Sequence, residues 1–164
     1  MKIAIWVGSA AMLFTSTHEL TLDPKNRLSI PSAIRSGMDA ETQGTKFYIA
    51  PSAWRNSVSL FGDRYFEQII ARDHGSLKSG PAKLKFQTAF YAASTPLEVD
   101  KQGRVCIPQR VIDRCGLERD VVLSGAGDHL ILWKKEAYEA FMADNEAQVM
   151  DVLWDAQSKS DSAG

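Results

Sequence analysis

The sequence predicts a β-rich α+β fold made of two copies of one unit, flanked by helices. Three observations lead there. The stretch "LTLDPKNRLSIPSAIR" beginning at Leu20 recurs as "LEVDKQGRVCIPQRVI" beginning at Leu97, an offset of 77 residues with five identities in sixteen positions. Leu22 with Val99, Leu28 with Val105 and Ile34 with Val111 are conservative matches, spaced as the inward positions of short strands. Each copy then passes through apolar, strand-like runs to a closing helix, "DRYFEQIIARD" in the first and "KKEAYEAFMAD" in the second.

Within a copy the elements follow in a fixed order. Leu20 and Leu22 alternate with Thr21, which marks a strand, and Asp23 to Asn26 are turn formers; Asp100 to Gly103 answer them. Leu28 and Ile30, or Val105 and Ile107, resume the alternation, so the local pattern predicts a hairpin. Gly103, and with more difficulty Asn26, suits a left-handed backbone at the end of the turn. Pro31 and Pro108 stop the strand and suit the first turn of a short helix, running to Gly37 and Gly116. The strands "FYIA", "VSLF", "DVVLSG" and "DHLILW" come next, with "GAGD" at 125–128 as a turn between the last two. Between the copies, "HGSLKSGP" reads as a polar linker. It leads into the amphipathic "AKLKFQTAFYAAS", whose Leu84, Gln87, Phe90 and Tyr91 share one helical face. The terminal "QSKSDSAG" has no large apolar anchor and is expected to fray.

With 45% hydrophobic and 24% charged residues, the composition is that of an ordinary globular protein. The net charge of −1 conceals an asymmetry: residues 1–135 carry 18 Lys and Arg against 13 acids, and residues 136–164 carry one Lys against seven acids. A cationic body thus precedes an acidic tail. Cys106 and Cys115 have no further sulfur or nearby histidine pair, which argues against zinc or a disulfide framework and for reduced packing residues. The opening "MKIAIWVGSAAMLFTSTHEL" has the outline of a secretory signal but is too short to span a bilayer, and Met12 offers a second explanation, a start assigned too early.

The residues suited to chemistry are the repeated Asp-x-x-x-Arg, Asp23 with Arg27 and Asp100 with Arg104, flanked by Lys25 and Lys101. Guanidinium forks held on protruding loops suit phosphates and base edges, and Lys adds charge toward a nucleic-acid backbone. The Asp is expected to hold the turn and orient the Arg. A solvent-exposed turn pair is the plain reading of one such loop; recurrence in register, with the same Ile-Pro and helix, favours a functional one. Trp133 is expected in the core, and His18, His74 and His129 as surface or structural residues. "GAGD" lacks the Lys-Ser/Thr of a phosphate loop, and no catalytic set or metal site emerges from local spacing.

On "TLDPKNRLSIPSAIR", "EVDKQGRVCIPQ" and "GLERDVVLSGAGDHLILWKKEAYEAF", the chain resembles the MraZ family, bacterial transcriptional regulators with two SpoVT-AbrB-type domains; the likeness covers roughly Leu13 to Phe141. The resemblance implies two AbrB-like swapped-hairpin half-barrels in one chain, paired as a pseudo-dimer. In that frame residues 1–16 are an extension, 17–64 the first domain, 65–93 a helical linker, 94–137 the second domain, and 138–164 a helix with a disordered acidic tail. It further implies a non-enzymatic regulator without cofactor, small-molecule substrate or membrane attachment, acting in the cytoplasm on the nucleoid. Double-stranded DNA would be held through Asp23, Lys25, Arg27, Asp100, Lys101 and Arg104. A ring-shaped homo-oligomer would bind direct repeats in the promoter of the division and cell wall gene cluster, which is also its own promoter. Gly is usual where Asn26 stands, and Pro24 is unusual, so the first loop departs more from the pattern. Rival readings are an antitoxin-like protein-binding module and an enzyme with residues assembled from afar.

Overall fold

The computed structural model describes residues 14–76 and 79–161. In chain order the elements are β1 (Thr17–Thr21), β2 (Arg27–Ser29), α1 (Ser32–Gly37), β3 (Phe47–Pro51), β4 (Ser57–Gly62), α2 (Asp63–Ser76), α3 (Pro81–Ala93), β5 (Thr95–Leu97), β6 (Arg104–Cys106), α4 (Gln109–Cys115), β7 (Asp120–Gly125), β8 (Leu130–Lys134) and α5 (Lys135–Asp161). The fold is α+β. All strand pairs are antiparallel, in a six-stranded sheet ordered β1-β7-β8-β4-β3-β5 and a separate ribbon of β2 with β6.

That order reads the same in both directions once the copies are equated, and the registers obey the same exchange. Leu20 faces Val121 where Leu97 faces Phe47, and His18 faces Leu123 where Thr95 faces Ile49. At the centre Val58 faces Leu132 and Leu60 faces Leu130. In the ribbon Leu28 faces Val105, Arg27 faces Cys106 and Ser29 faces Arg104. Each copy therefore completes its sheet with strands from the other, as expected of units too small to bury an apolar face alone.

The pairing corrects one local expectation. β1 and β2 do not form a hairpin ladder: after Asp23 the arms separate, Leu22 N–H donating to the Arg119 carbonyl while β2 pairs with β6. Turn chemistry sets the reversal, but burial of Leu22, Leu28 and Ile30 decides which backbone each arm joins. Segments 17–64 and 94–137 share one sheet, since β7 lies between β1 and β8, and β4 pairs with β8.

The main core lies between the ribbon with its short helices and one face of the sheet. Leu28, Ile30, Val105 and Ile107 meet Phe47, Leu60, Leu123 and Leu132 there. Pro31 and Pro108 sit one residue before α1 and α4, and Gly116 ends α4 in the left-handed conformation (φ 61°). On the opposite sheet face, Tyr138 and Phe141 of α5 cover Val122, Ile131 and Trp133, which is buried as expected. Phe66 of α2 packs in the equivalent place against Tyr48 and Phe61. Both Phe66 and Tyr138 lie close behind the strand they cover, so one closing-helix device serves both copies.

Further differences from expectation concern the margins. Phe14 is buried and exchanges backbone hydrogen bonds with Gly127, so the folded unit already includes a residue assigned to the extension. The rest of that segment, with Met12 and the secretory outline, lies outside the described residues. α5 begins at Lys135 and continues to Asp161, through most of the stretch expected to fray. On α3, Gln87, Phe90 and Tyr91 are half-buried, but Leu84, on the same face nearer the start of the helix, is 65% exposed. Cys115 packs in the core, where burial pushes its thiol up, and Cys106 is exposed on the outer ribbon face. No described helix is long and apolar enough to cross a membrane.

Ile107 is fully buried between the ribbon and the sheet. Ile107→Ala is expected to lower unfolding free energy by about 2–5 kcal/mol in urea titration, whereas exposed Thr21→Ala should change it by less than ~0.5 kcal/mol.

Candidate nucleic-acid interface

Each Asp-x-x-x-Arg loop is a closed hydrogen-bonded unit. Asp23 Oδ1 accepts from the backbone N–H of Lys25 at 2.9 Å and of Arg27 at 2.8 Å, and Oδ2 accepts from Arg27 Nε at 2.5 Å. Asp100 repeats this with the N–H of Gln102 and Arg104, both 2.9 Å, and with Arg104 Nε at 2.9 Å. Asn26 N–H donates to the Asp23 carbonyl and Gly103 N–H to that of Asp100, each 2.9 Å. The residue that ends each turn is left-handed, Asn26 at φ 60° and Gly103 at φ 77°. Asn tolerates that region better than other side chains, so neither Asn26 nor Pro24 opens the first loop.

The backbone N–H of Arg27, followed by that residue's guanidinium and the Lys25 N–H, holds the Asp23 carboxyl below the usual carboxylate range against a partial desolvation. The Arg104 N–H, its guanidinium and the Gln102 N–H do the same for Asp100. Both carboxylates are therefore ionised at neutral pH and committed inward to the turn. Anchoring each Arg through Nε leaves donors on its terminal Nη groups for a phosphate or base edge, one of which Arg104 gives to Gln102.

The ribbon brings the two loops together. Leu28 and Val105 point into the core, so Arg27, Ser29, Arg104 and Cys106, which alternate with them, share the opposite face. Arg27 and Arg104 are diagonal neighbours across this ladder. Symmetric backbone bonds lock the tips to it: Ile30 N–H donates to the Gly103 carbonyl at 2.9 Å, and Ile107 N–H to that of Asn26 at 2.8 Å. Lys25 and Lys101 are exposed on the turns but occupy different places, since the Asp-bonded position of Lys25 is filled by Gln102 in the second loop.

The repeat alone did not single out three supporting residues. Gln102 Oε1 accepts from Arg104 Nη2 at 3.1 Å. Asn26 Nδ2 donates to Gln109 Oε1 at 2.8 Å, tying the first loop to α4 of the other copy. The Arg35 guanidinium lies against Gly103, where a side-chain carbon would fall 2.4 Å from its Cζ, and its Nε donates to the Ile30 carbonyl at 3.0 Å. Gly103 is thus fixed both by its backbone angle and by this close approach, and Arg35 adds a cation beside the second loop. The signal for Arg35 was its place one turn after Pro31, but its contact lies across the copies. No group of residues suited to a metal occurs among the described residues.

Comparison with known proteins bears on the same segments. The family model described as "MraZ protein, putative antitoxin-like" matches residues 90–158. "Transcriptional regulator MraZ" of Acetivibrio thermocellus is 31% identical over 136 residues, covering 80% of this chain and 88% of that protein. The chain belongs to the MraZ family. The MraZ protein of Clostridium beijerinckii is likewise 31% identical, over 81% of this chain and 89% of its own length. That of Christiangramia forsetii is 27% identical over 90% and 95%. Both loops thus fall within a likeness that spans most of the chain.

Because the folded-state pKa of Asp23 and Asp100 is depressed, the stability they contribute is present above the unfolded value of about 3.9 and is lost as pH falls through the folded value. Thermal melts from pH 7 to pH 2 should show a smaller acid-side loss of melting temperature in Asp23→Asn/Asp100→Asn than in the parent. An unchanged acid limb would remove these carboxylates from the account.

Proposed function

We propose that this chain is a sequence-specific, double-stranded DNA-binding transcriptional regulator without catalytic activity. The observation that carries the reading is the placement of two equivalent Asp-held arginines on one exposed face of a two-stranded ribbon. A β-ribbon fits the major groove, where Arg can donate paired hydrogen bonds to guanine and lysine neutralises phosphate. The naming of the relatives as transcriptional regulators supports the same conclusion.

In this reading the palindromic strand order is that of two AbrB-like swapped-hairpin halves forming a pseudo-dimer. Asp23 and Asp100 position Arg27 and Arg104 for bases, and Lys25 and Lys101 contact phosphate. Two small loops offer few contacts per chain, so a ring-shaped homo-oligomer on promoter direct repeats raises affinity through effective concentration. The target is the division and cell wall gene cluster with the regulator's own promoter, which places the protein in the cytoplasm on the nucleoid.

Mobility shift on its own upstream DNA across a salt series tests this. Affinity should fall steeply as salt rises, because each phosphate contact releases counterions. Arg27→Ala and Arg104→Ala should each cost about 1–3 kcal/mol of specific binding, and Lys25→Ala should mainly flatten the salt slope. Operator affinity that survives the double arginine substitution would reject the ribbon face as the contact.

A further inference from the structure

Each tip arginine carries its own counter-charge. Asp23 is ionised beside Arg27 and Asp100 beside Arg104, at Nε to Oδ2 distances of 2.5 Å and 2.9 Å, so each pair sums to zero. Net attraction of a polyanion to the tips must then come from cations outside the pairs. Lys25 and Lys101 supply one charge each, on flexible four-carbon stems. Arg35 supplies a third, and it differs from both in being held.

Arg35 stands in the last turn of α1, in the first copy, but its guanidinium lies against the tip of the second. Its Nε donates to the Ile30 carbonyl at 3.0 Å, and the N–H of the same Ile30 donates to the Gly103 carbonyl at 2.9 Å. One residue thus fixes both the cation and the tip beside it. The guanidinium fills the space that a side chain at position 103 would take. Of its five N–H donors this anchor uses one. Arg35 is exposed and enters no ion pair among the described residues, so both Nη groups remain for a planar, two-point acceptor such as phosphate.

The first tip has no matching cation. By the repeat offset of 77 residues, the counterpart of Arg35 is Ile112, which packs against the core. Asn26 is tied to the other copy by the neutral amide of Gln109 instead.

We propose that Arg35 grips a DNA phosphate beside the second tip and makes that tip the tighter of the two anchors on the duplex. The inference rests on the DNA-binding reading and adds a contact that the Asp-x-x-x-Arg repeat does not contain. Arg35 comes from the helix beside the ribbon, whereas Arg27 and Arg104 project from the ribbon itself, so its acceptor is the backbone that walls the groove and not a base edge.

The test uses the full chain in fluorescence anisotropy with its own upstream DNA and with an unrelated duplex, across a salt series. Arg35→Gln keeps a donor for the Ile30 carbonyl without the charge, and Arg35→Lys keeps the charge without the planar fork. Arg35→Gln should weaken both duplexes by a similar factor, about tenfold at low salt. It should also reduce the slope of log affinity against log salt by about 0.9, the share of one phosphate. Arg35→Lys should keep the parent slope and recover part of the affinity. In ethylation interference, one phosphate whose ethylation weakens the parent should have no effect on Arg35→Gln. A purely structural role would lower the melting temperature and leave slope and interference pattern unmoved. An unchanged slope, an unchanged pattern, a slope lost equally in Arg35→Lys, or a loss confined to the operator would overturn the proposal. Operator affinity that survives the double substitution of Arg27 and Arg104 rejects the ribbon reading itself. If that variant loses the operator while Arg35→Gln binds like the parent, the Arg35 contact alone fails.

Discussion

The structure depends on the ladder between β2 and β6, where Leu28 and Val105 face one another and enter the core together. This short ribbon has no sheet of its own to extend, and its stability comes from the apolar layer beneath it. Burial of its inner face fixes register, since a slip of one residue would turn Leu28 and Val105 outward and carry arginines into the core. The same register decides that Arg27 and Arg104 emerge on one side. Folding energy and the candidate function are therefore settled by one set of alternating residues.

The loop tips add a second level of constraint. Each carboxylate is used up by its own turn, accepting two backbone N–H groups and one guanidinium, so it offsets the charge of its own Arg while its acceptor lone pairs stay committed to the loop. Arg27 and Arg104 lose rotational freedom before meeting any ligand, which lowers the entropy of capture. Arg35, Gln102 and Gln109 then buttress the tips from elements belonging partly to the other copy. The two loops support one another, even though each is contiguous in the chain.

Much of this was legible in the residues themselves. The repeated Asp-x-x-x-Arg, the alternating Leu, Val and Ile, and the proline before each short helix are local signals, and the structure places them close to where they were read. The turn role of the aspartates was legible too, because an Asp at the start of a turn readily accepts from the backbone N–H groups just after it. Strand partners were not: a turn between Leu22 and Leu28 suggests that its arms pair, and only the need of each copy for the other's sheet sends them apart. The partners of Arg35 and Asn26 were hidden for the same reason, being contacts between copies. α5 was misjudged from Gln157 to Asp161 because a polar, small-residue stretch reads as an end, whereas the backbone there continues in helical geometry.

Joining the two halves covalently frees them from having to stay identical. A true homodimer would present the same tip twice and match a site with dyad symmetry. Here Lys25 stands where the other tip has Gln102, and Asn26 where the other has Gly103. The paired tips thus carry a direction, and a duplex lying across them would be met differently from its two ends, giving the protein a polarity along its track that an identical pair would lack.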